Sequence, residues 1–299
     1  MNFTSQIDNW YSKNKRDLPW RKNKDPYSVW LSEIILQQTK IQQGLPYYTK
    51  FIDKYPNVFS LASALEQDIL KLWEGLGYYS RARNLHKTAK IVALDFGGIF
   101  PTTFLELLKL PGIGKYTASA ISSICYEERQ AVLDGNVFRL LSRYFNIDTP
   151  INSSIGIKSF EKLSYKLLPK FNIGDYNQGL MDFGSIICKP KLAKCDICIL
   201  QDGCSAHAKN KIHLLPVKNK KNKVLTVRYS GNLAKDMTLQ SLLDIAAALQ
   251  EISNRIEVKF EIRCQKHWFE EAKFFFKQYS VVSLDIANQS ASDYREWLI

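Results

Sequence analysis

Apolar residues recur every three to four positions through most of residues 1–215, the spacing that places them on one face of an α-helix. Trp30, Ile34 and Ile41 follow this spacing in the stretch DPYSVWLSEIILQQTKIQQGLP. Because Pro26 precedes the run and Gly44 follows it, we predict one helix of about four turns here. Similar runs predict helices at about 61–73, 80–95, 102–109, 115–125, 136–145, 158–169 and 175–187. The pattern therefore predicts a mainly helical domain.

Residues 224–299 follow a different pattern. The segments VLTVRY, RIEVKFEIR and VVSLDI alternate or run apolar as strands do, whereas SLLDIAAALQEI and KHWFEEAKFFFKQY have helical spacing. Their order, β-α-β-α-β, predicts a small α+β domain at 224–299. Between the two regions, VKNKKNKV is poor in apolar residues and follows Pro216. We therefore predict a helical region at 1–215 and a basic linker at 216–223.

The charge balance favours a polyanionic partner. The 299 residues include 41 Lys and Arg against 29 Asp and Glu, a formal net charge of +12, and nucleic acid is the commonest polyanion. On charge alone, a membrane surface stays open. The N-terminus has no basic segment followed by an apolar run, and no stretch is long and apolar enough for a membrane span. We expect a soluble, cytoplasmic protein of bacterial type, with no targeting signal and no membrane association.

The cysteines are clustered. Four of the six lie within 188–204, namely Cys188, Cys195, Cys198 and Cys204. Four thiolates can bind a tetrahedral Zn²⁺ or the four irons of a cubane cluster, and one CxxC flanked by single cysteines favours iron and sulfur over zinc. Lys189, Lys191 and Lys194 stand beside these cysteines and could contact phosphate. We expect Cys125 and Cys264 to be ordinary buried thiols.

The segment LPGIGKYTASA, residues 110–120, places two glycines before a helix of small residues. Glycine allows a tight turn and close approach by another molecule, and the first N–H groups of a helix point outward toward an anion. The segment lacks the GxxxxGK[ST] and GxGxxG signatures of nucleotide binding, and an amphipathic helix precedes it. We interpret it as a helix-hairpin-helix unit that binds a backbone phosphate; a plain helix-helix turn is the alternative.

Two carboxylates stand out by context. Glu33 lies among apolar residues of a predicted helix, and Asp134 comes immediately before another helix in VLDGNVFRLL. A surface carboxylate and an N-cap are the ordinary alternatives for the two positions. Together they could supply the acid and the anionic group that stabilises an oxocarbenium-like transition state when a glycosidic bond breaks.

Six motifs in order resemble those of MutY-type adenine DNA glycosylases, which belong to the helix-hairpin-helix endonuclease III superfamily. They are LPWR (18–21), WLSEIILQQT (30–39), GLGYYSRARNLHK (75–87), LPGIGKYTA (110–118), LDGNV (133–137) and the four-cysteine loop. The resemblance covers residues 10 to about 210. It implies a two-lobed fold, with a six-helix domain at about 22–128 and a second domain formed by the N-terminal segment and 129–215. It also implies that the four cysteines bind a [4Fe-4S] cluster.

The resemblance implies an activity and roles for single residues. A monofunctional enzyme of this family removes adenine mispaired with 8-oxoguanine or guanine, the first step of base excision repair, and would act as a monomer on double-stranded DNA. Glu33 would protonate adenine at N7 and then activate water. Asp134 would stabilise the oxocarbenium ion or form a transient glycosyl link, and Tyr116 would support that intermediate.

Further positions correspond to contacts in the family. Gln38 would wedge into the duplex beside the extruded base, and Tyr78 would insert next to the opposite base. The full set of expected DNA contacts is Gln37, Gln38, Thr39, Leu76, Gly77, Tyr78, Arg81, Gly112, Gly114, Lys115, Lys189, Lys191 and Lys194. The adenine pocket would be formed by Trp20, Arg21, Leu36 and Gln178.

The sequence departs from the family after residue 224. The Nudix-like C-terminal domain of the family carries a Phe-Ser-His loop that senses 8-oxoguanine, and no such loop occurs in 224–299. This segment is either a reduced Nudix-like domain or an unrelated replacement. A mismatch thymine or uracil glycosylase and a non-catalytic damage-binding protein are the alternative functions. Strand cleavage through a Schiff base is disfavoured, because relatives that cut the strand have lysine where Tyr116 stands.

Overall fold

The computed structural model describes residues 2–219, 224–230, 239–252, 257–264, 276–277 and 282–286. The chain divides into two compact units, Met1–Asn219 and Lys220–Ile299. The first unit therefore includes the first residues of the predicted linker: the backbone N–H of Ile151 donates to Val217 O at 3.0 Å, and Asn152 exchanges two hydrogen bonds with Asn219. None of the helices in the described part of the chain has the length and apolar character of a membrane span.

Every regular element within residues 2–219 is helical, as the sequence predicts. The helices are α1 (Phe3–Asn14), α2 (Pro26–Ile35), α3 (Ile41–Lys54), α4 (Val58–Ala62), α5 (Glu66–Leu72), α6 (Ser80–Asp95), α7 (Phe104–Leu107), α8 (Lys115–Tyr126), α9 (Gly135–Tyr144), α10 (Ser154–Leu167), α11 (Ile173–Ile186) and α12 (Ser205–Ala208). Short 3₁₀ turns occur at Pro19–Arg21, Cys195–Ile197 and Ile212–Leu214.

The prediction of one four-turn helix after Pro26 was wrong. Helix α2 ends at Ile35, and the chain turns through Gln38, which has a left-handed backbone (φ 56°), before α3 begins at Ile41. Gly44 lies inside α3 and does not end it. A Cβ there would lie 2.7 Å from Leu36 Cδ2, so glycine lets α3 pack against the end of α2. The helical spacing thus continues across a break that tertiary packing creates.

Two further differences concern the number of helices. The run predicted as one helix at 61–73 is divided between α4 and α5. Helix α1 was not predicted, although its buried residues have the spacing of one helix face and Asn2 caps it by accepting a hydrogen bond from Ser5 N at 2.9 Å. The signal for α1 was therefore present in the sequence.

The first unit contains two hydrophobic cores. One is built around Trp30, Phe51 and Trp73 from α2, α3 and the end of α5, with the buried side of α8. The other is built around Phe160, Tyr176 and Phe183, with α1 and α9 packed on α11. We call these regions the first and second lobes. Residues 127–134 connect α8 of the first lobe to α9 of the second.

The second unit contains a three-stranded parallel sheet with the order β1-β2-β3, formed by Val224–Ser230, Glu257–Cys264 and Val282–Ile286. In the register, Val224 pairs with Glu257 and Phe260 with Val282. Helix α13 (Leu239–Ile252) connects β1 to β2. The three predicted strands and the first predicted helix are confirmed. The second predicted helix, KHWFEEAKFFFKQY, lies outside the described residues except for 276–277.

Helices α8 and α11 approach closely at Gly174. A Cβ on Gly174 would lie 2.6 Å from Ile124 Cα and 2.7 Å from Ser123 O, both backbone atoms that cannot rotate away. We therefore expect Gly174→Ala to push the lobes apart and to lower the free energy of unfolding by about 1–3 kcal/mol, measured by urea titration.

Gly135→Ala is the matched control for this substitution. Gly135 also lies in the first turn of a helix, and nothing lies within 4 Å of a Cβ built there. Alanine favours helix over glycine, so this variant should keep or gain stability. Equal stability of the two variants would contradict the close approach of α8 and α11.

Candidate active site

A cleft of about 570 Å³ lies between the two lobes of the first unit. The side chains that line it come from both lobes, and nine of them were predicted from the sequence: Trp20, Arg21, Glu33, Leu36, Gln37, Gln38, Thr39, Tyr116 and Asp134. Sequence reasoning missed six others: Arg16, Leu18, Ile41, Leu133, Asn136 and Met181. Gln178 lines a small recess of about 30 Å³ beside Trp20, Arg21 and Glu33.

Glu33 lies in the third turn of α2, where every neighbouring position along the helix is buried. Burial of the carboxyl raises the pKa of Glu33 to about 7, while the Tyr116 hydroxyl and the Arg21 charge lower it and the Asp134 charge raises it. A substantial fraction of Glu33 is therefore protonated at neutral pH, which allows it to act as an acid.

Asp134 is the N-cap of α9. Its Oδ1 accepts hydrogen bonds from the backbone N–H groups of Asn136 and Val137 at 2.8 and 2.7 Å, and its Oδ2 accepts one from Asn136 Nδ2 at 2.6 Å. Burial raises the pKa of Asp134, and these hydrogen bonds oppose that rise because they favour the charged form. Asp134 is therefore both a helix cap and a cleft carboxylate, and of the two acids it has the environment better suited to a negative charge.

Tyr116, in the first turn of α8, completes the group. Its hydroxyl donates to Met181 Sδ at 3.3 Å. Burial and the nearby charges of Glu33 and Asp134 hold the pKa of Tyr116 well above its usual value, so the hydroxyl keeps its proton. The cleft thus brings together all three predicted catalytic side chains.

A buried aspartate that the sequence did not reveal supports the cleft. Asp182, in α11, has no exposed side-chain surface and accepts hydrogen bonds from Arg21 at 2.7 and 3.0 Å and from Arg16. Burial alone would raise the pKa of Asp182, but the two arginines bring it below its usual value. An acid within the apolar run GLMDFG was the available signal.

The predicted DNA contacts near the cleft have unusual backbones. Gln38 and Tyr78 are exposed and left-handed, with φ of 56° and 47°, and Gly77 has φ 67°. Gly112 has φ 75°, and a Cβ there would lie 2.8 Å from Asn84 Cβ. Because Gly114 is the N-cap of α8, the free N–H groups of the first turn lie directly after the glycine hairpin. Leu76 is buried, so only part of the predicted loop is accessible.

Arg81 holds two loops together. Its guanidinium donates to Ile34, Ile35 and Gln37 carbonyl oxygens at 3.2, 3.1 and 2.5 Å, which ends α2 before Gln38. It also donates to the carbonyls of Leu76 and Gly77 at 3.1 and 3.3 Å. The side chain therefore joins the loops that carry Gln38 and Tyr78, and a direct contact from Arg81 to DNA stays a prediction.

The four clustered cysteines line one cavity in the second lobe. They are not paired as disulfides, and within the described residues no three His, Cys, Asp or Glu side chains are arranged to hold a single metal ion. Arg143, which is buried, donates to Cys188 Sγ at 3.4 Å and to the Lys189 carbonyl at 2.7 Å. Lys191 and Lys194 are exposed and Lys189 is half-buried, so the loop presents positive charge to solvent.

A chain of hydrogen bonds connects this loop to the cleft. Asn136, which binds Asp134, accepts from Arg139 at 2.8 Å through its own Oδ1. Arg139 donates in turn to the Cys188 carbonyl at 2.7 Å and to the Gly184 carbonyl at 2.7 Å. Both Asn136 and Arg139 belong to α9, so one helix supports the cleft carboxylate and the cysteine loop.

Comparison with known proteins identifies the family. Residues 31–169 match the model of the HhH-GPD superfamily of base excision DNA repair proteins. The chain is also 34% identical to a thermostable thymine-DNA glycosylase of known structure, with a TM-score of 0.64 over 69% of this chain and 95% of that one. The chain belongs to the HhH-GPD superfamily. Endonuclease III in a non-covalent DNA complex shares the fold, with a TM-score of 0.58 at 21% identity, over 70% of this chain and 99% of that one.

Among curated proteins, this HhH-GPD chain resembles several named adenine DNA glycosylase. The one from Buchnera aphidicola subsp. Baizongia pistaciae is 43% identical over 233 residues, which cover 76% of this chain and 65% of that protein. The Homo sapiens protein is 38% identical over 213 residues, or 68% of this chain and 39% of that protein. The chain thus spans less than two thirds of the length of these relatives.

Replacing Asp182 should test the electrostatic support of the cleft. Asp182→Asn leaves Arg16 and Arg21 without a counter-charge, and we expect the free energy of unfolding to fall by about 3 kcal/mol near pH 7. Because the folded-state pKa of Asp182 lies below the usual 3.8, its contribution is present above that pH and is lost as the pH falls through the folded-state value. The variant should therefore lose less stability than the wild type on acidification.

Urea titrations between about pH 7 and pH 3 would measure both effects. Asp17→Asn is the matched control, because the Asp17 side chain is 86% exposed and lies 4.0 Å from Lys22. We expect it to change stability by less than about 0.5 kcal/mol. An acid dependence unchanged in Asp182→Asn would contradict the proposed pairing.

Proposed function

We propose that this chain is a monofunctional DNA glycosylase that hydrolyses the N-glycosidic bond of adenine mispaired with 8-oxoguanine or guanine. The observation that carries the proposal is the meeting of Glu33, Asp134 and Tyr116 in one cleft, with the pKa of Glu33 raised to about 7. The curated relatives named adenine DNA glycosylase support adenine as the base. Membership of a base excision repair superfamily supports DNA as the substrate.

The chemistry begins with extrusion of the adenosine into the cleft, because the glycosidic carbon is out of reach inside a duplex. Glu33 donates its proton to N7 of adenine while the bond from C1′ to N9 breaks, and the bonding electrons leave with the base. Asp134, as an anion, stabilises the positive charge that develops on the sugar. Water then adds to C1′ and loses a proton to the Glu33 carboxylate. Tyr116, which keeps its proton, supplies a neutral hydroxyl beside both acids.

The surfaces around the cleft suit a DNA backbone. The N–H groups after the Gly112–Gly114 hairpin and the lysines of the cysteine loop offer phosphate contacts, which position a duplex without reading its sequence. Gln38 and Tyr78 stand exposed on left-handed turns on either side of Arg81, where they could enter the base stack. We propose that one chain binds one damaged or mismatched duplex as a monomer.

The cysteine loop would hold a [4Fe-4S] cluster. Four thiols line one cavity, and a [4Fe-4S] cluster takes four thiolates, one on each iron. One CxxC flanked by single cysteines favours such a cluster over zinc. When bound, such a cluster would fix the loop that carries Lys189, Lys191 and Lys194. The residues of this chain would provide the four ligands, with Arg143 donating to the sulfur of Cys188.

A second candidate is a mismatch thymine glycosylase. The observation in its favour is the 34% identity to a thermostable thymine-DNA glycosylase, 95% of whose chain is covered. Both candidates use a cleft acid and a tyrosine that does not form a Schiff base, so they differ in the base accepted and in its partner.

Single-turnover base release would decide between these candidates. Purified protein would be mixed in excess with duplexes containing A:8-oxoguanine, A:G, A:C, T:G or U:G, and free base would be quantified without strand-cleaving treatment. We expect adenine release opposite 8-oxoguanine and guanine and none from the other pairs. Release confined to T:G and U:G would favour the second candidate, and no release from any pair would refute a glycosylase.

The assignment of Glu33 as the acid makes a separate prediction. Glu33→Gln should bind the duplex as the wild type does but release adenine at least about 100-fold more slowly, because the amide cannot donate a proton to the base. In the wild type, the single-turnover rate should decline about tenfold for each pH unit above about 7, as the protonated carboxyl is lost.

Glu106→Gln provides the control for this variant, because Glu106 is exposed on α7 and its side chain accepts a hydrogen bond from Thr103, away from the cleft lining. Its rate and its pH profile should match those of the wild type. Normal base release by Glu33→Gln, or a rate independent of pH between about 6 and 9, would remove Glu33 from the proposed mechanism.

A further inference from the structure

Helices α8 and α11 pack along a seam that ends at the cleft. Gly174 lies against Ile124, Asn177 binds Ser123, and Met181 accepts from Tyr116. Positions 174, 177 and 181 lie on one face of α11, and the partners follow α8 in the opposite direction. The seam therefore joins the two lobes and reaches the proposed catalytic tyrosine at its last contact.

The polar member of the seam is Asn177, whose side chain is wholly buried. Its Nδ2 donates to Ser123 Oγ at 3.0 Å and to the Gln130 carbonyl at 2.8 Å, and its Oδ1 accepts from Val132 N–H at 3.3 Å. Both amide protons are thus used. One carboxamide therefore connects α8, α11 and the segment between the lobes. A buried amide without such hydrogen-bond partners would destabilise the folded state.

The position of this contact matters because Val132 is two residues from Asp134. Two residues of extended chain span at most about 7 Å, so the backbone fixed at Val132 limits where the Asp134 carboxyl can lie. Asp134 itself is held by Asn136 and Val137 of α9. The remaining contacts that tie residues 127–131 to other elements are farther from Asp134. Glu127 accepts from Ile173 N at 2.8 Å and pairs with Lys24 at 2.7 Å, and Arg129 donates to the Pro169 carbonyl at 2.9 Å.

Glu33 and Asp134 are held in the cleft by different lobes. Glu33 extends from α2, which packs against α8 in the first lobe, whereas Asp134 caps α9 in the second lobe. The distance between the two acids therefore depends on how the connecting segment is held against the seam. Asn177, in α11, binds both this segment and α8.

We infer that Asn177 is a positioning residue for the proposed reaction, holding residues 130–132 on the α8–α11 seam so that Asp134 faces Glu33 and Tyr116 across the cleft. The inference rests on the proposed glycosylase function. Asn177 does not line the cleft, and it acts through the backbone that carries Asp134. A displacement of a reacting group by about 1 Å can slow a reaction about 100-fold, so a single amide suffices for a large effect.

The test compares three variants. Asn177→Leu keeps the branched shape of the side chain and its number of heavy atoms but removes all three hydrogen bonds. Asn177→Asp keeps the acceptor for Val132 N–H but places a carboxylate oxygen against the Gln130 carbonyl. Glu127→Gln is the matched control, because it weakens the junction at the solvent side, removing the charge that pairs with Lys24 and caps α11. Thermal unfolding of each variant would measure the loss of stability separately from the loss of activity.

We expect the single-turnover rate of adenine release to fall about 10- to 100-fold in Asn177→Leu and at least as far in Asn177→Asp, whose buried carboxylate faces the Gln130 carbonyl, with duplex affinity unchanged within about threefold. The alkaline limb of the pH profile should move to lower pH in Asn177→Leu, since the Asp134 charge raises the pKa of Glu33 and would lie farther away. Glu127→Gln should keep the wild-type rate and profile.

Hydrogen exchange gives a readout that does not need activity. The Val132 amide should exchange faster in Asn177→Leu and be unchanged in Glu127→Gln, which would show that Asn177 anchors the segment. Unchanged exchange, or rates and pH profiles equal to those of Glu127→Gln, would overturn the inference while leaving the glycosylase proposal intact. If the wild type releases no base from any duplex, the proposed function fails and the positioning role fails with it.

Discussion

The burial that raises the pKa of Glu33 to about 7 is the constraint on which the rest of the cleft depends. A carboxyl keeps a proton near neutral pH only where its charged form is poorly solvated, and side chains of both lobes lie around Glu33. The lobes must therefore meet with little freedom. Gly174, whose Cα approaches the α8 backbone too closely for any side chain, and the satisfied amide of Asn177 provide this close junction.

A buried acid beside an arginine would ordinarily be ionised, so the charge of Arg21 must be offset elsewhere. Asp182 does this with a two-point contact to Arg21 and a further contact to Arg16, and it stays charged because both cations stabilise it. Burial therefore stays the largest influence on the pKa of Glu33, and it raises that pKa. Burial raises the pKa of Asp134 as well, but the backbone N–H groups of the first turn of α9 oppose that rise because they favour an anion. The surroundings of the two cleft carboxyls thus differ: those of Asp134 favour the charged form more than those of Glu33 do.

Much of this could be predicted from the sequence because it depends on local pattern. The helical domain, the alternation of strand and helix after residue 224, and the convergence of Glu33, Tyr116 and Asp134 followed from periodicity, turn chemistry and motif resemblance. The parallel pairing of the three strands did not, because periodicity does not reveal which strands pair. The break at Gln38 could not, because the helical spacing continues through it and only the packing of Gly44 on Leu36 and the contacts of Arg81 impose the turn. The role of Asp182 also depends on partners about 160 residues away in the chain, which periodicity does not reveal.

Helix α9 contacts both the cleft carboxylate of Asp134 and the cysteine loop. Asp134 caps its first turn, Arg139 donates to the Cys188 carbonyl one turn later, and Arg143 reaches the Cys188 sulfur after a further turn. Since Asn136 binds both Asp134 and Arg139, a shift of the cysteine loop would reach the carboxylate through three consecutive hydrogen bonds. Buried arginines with several carbonyl partners resist such a shift, because any movement leaves a charged donor unsatisfied. The cysteine loop and the cleft carboxylate of Asp134 are therefore held by the same helix.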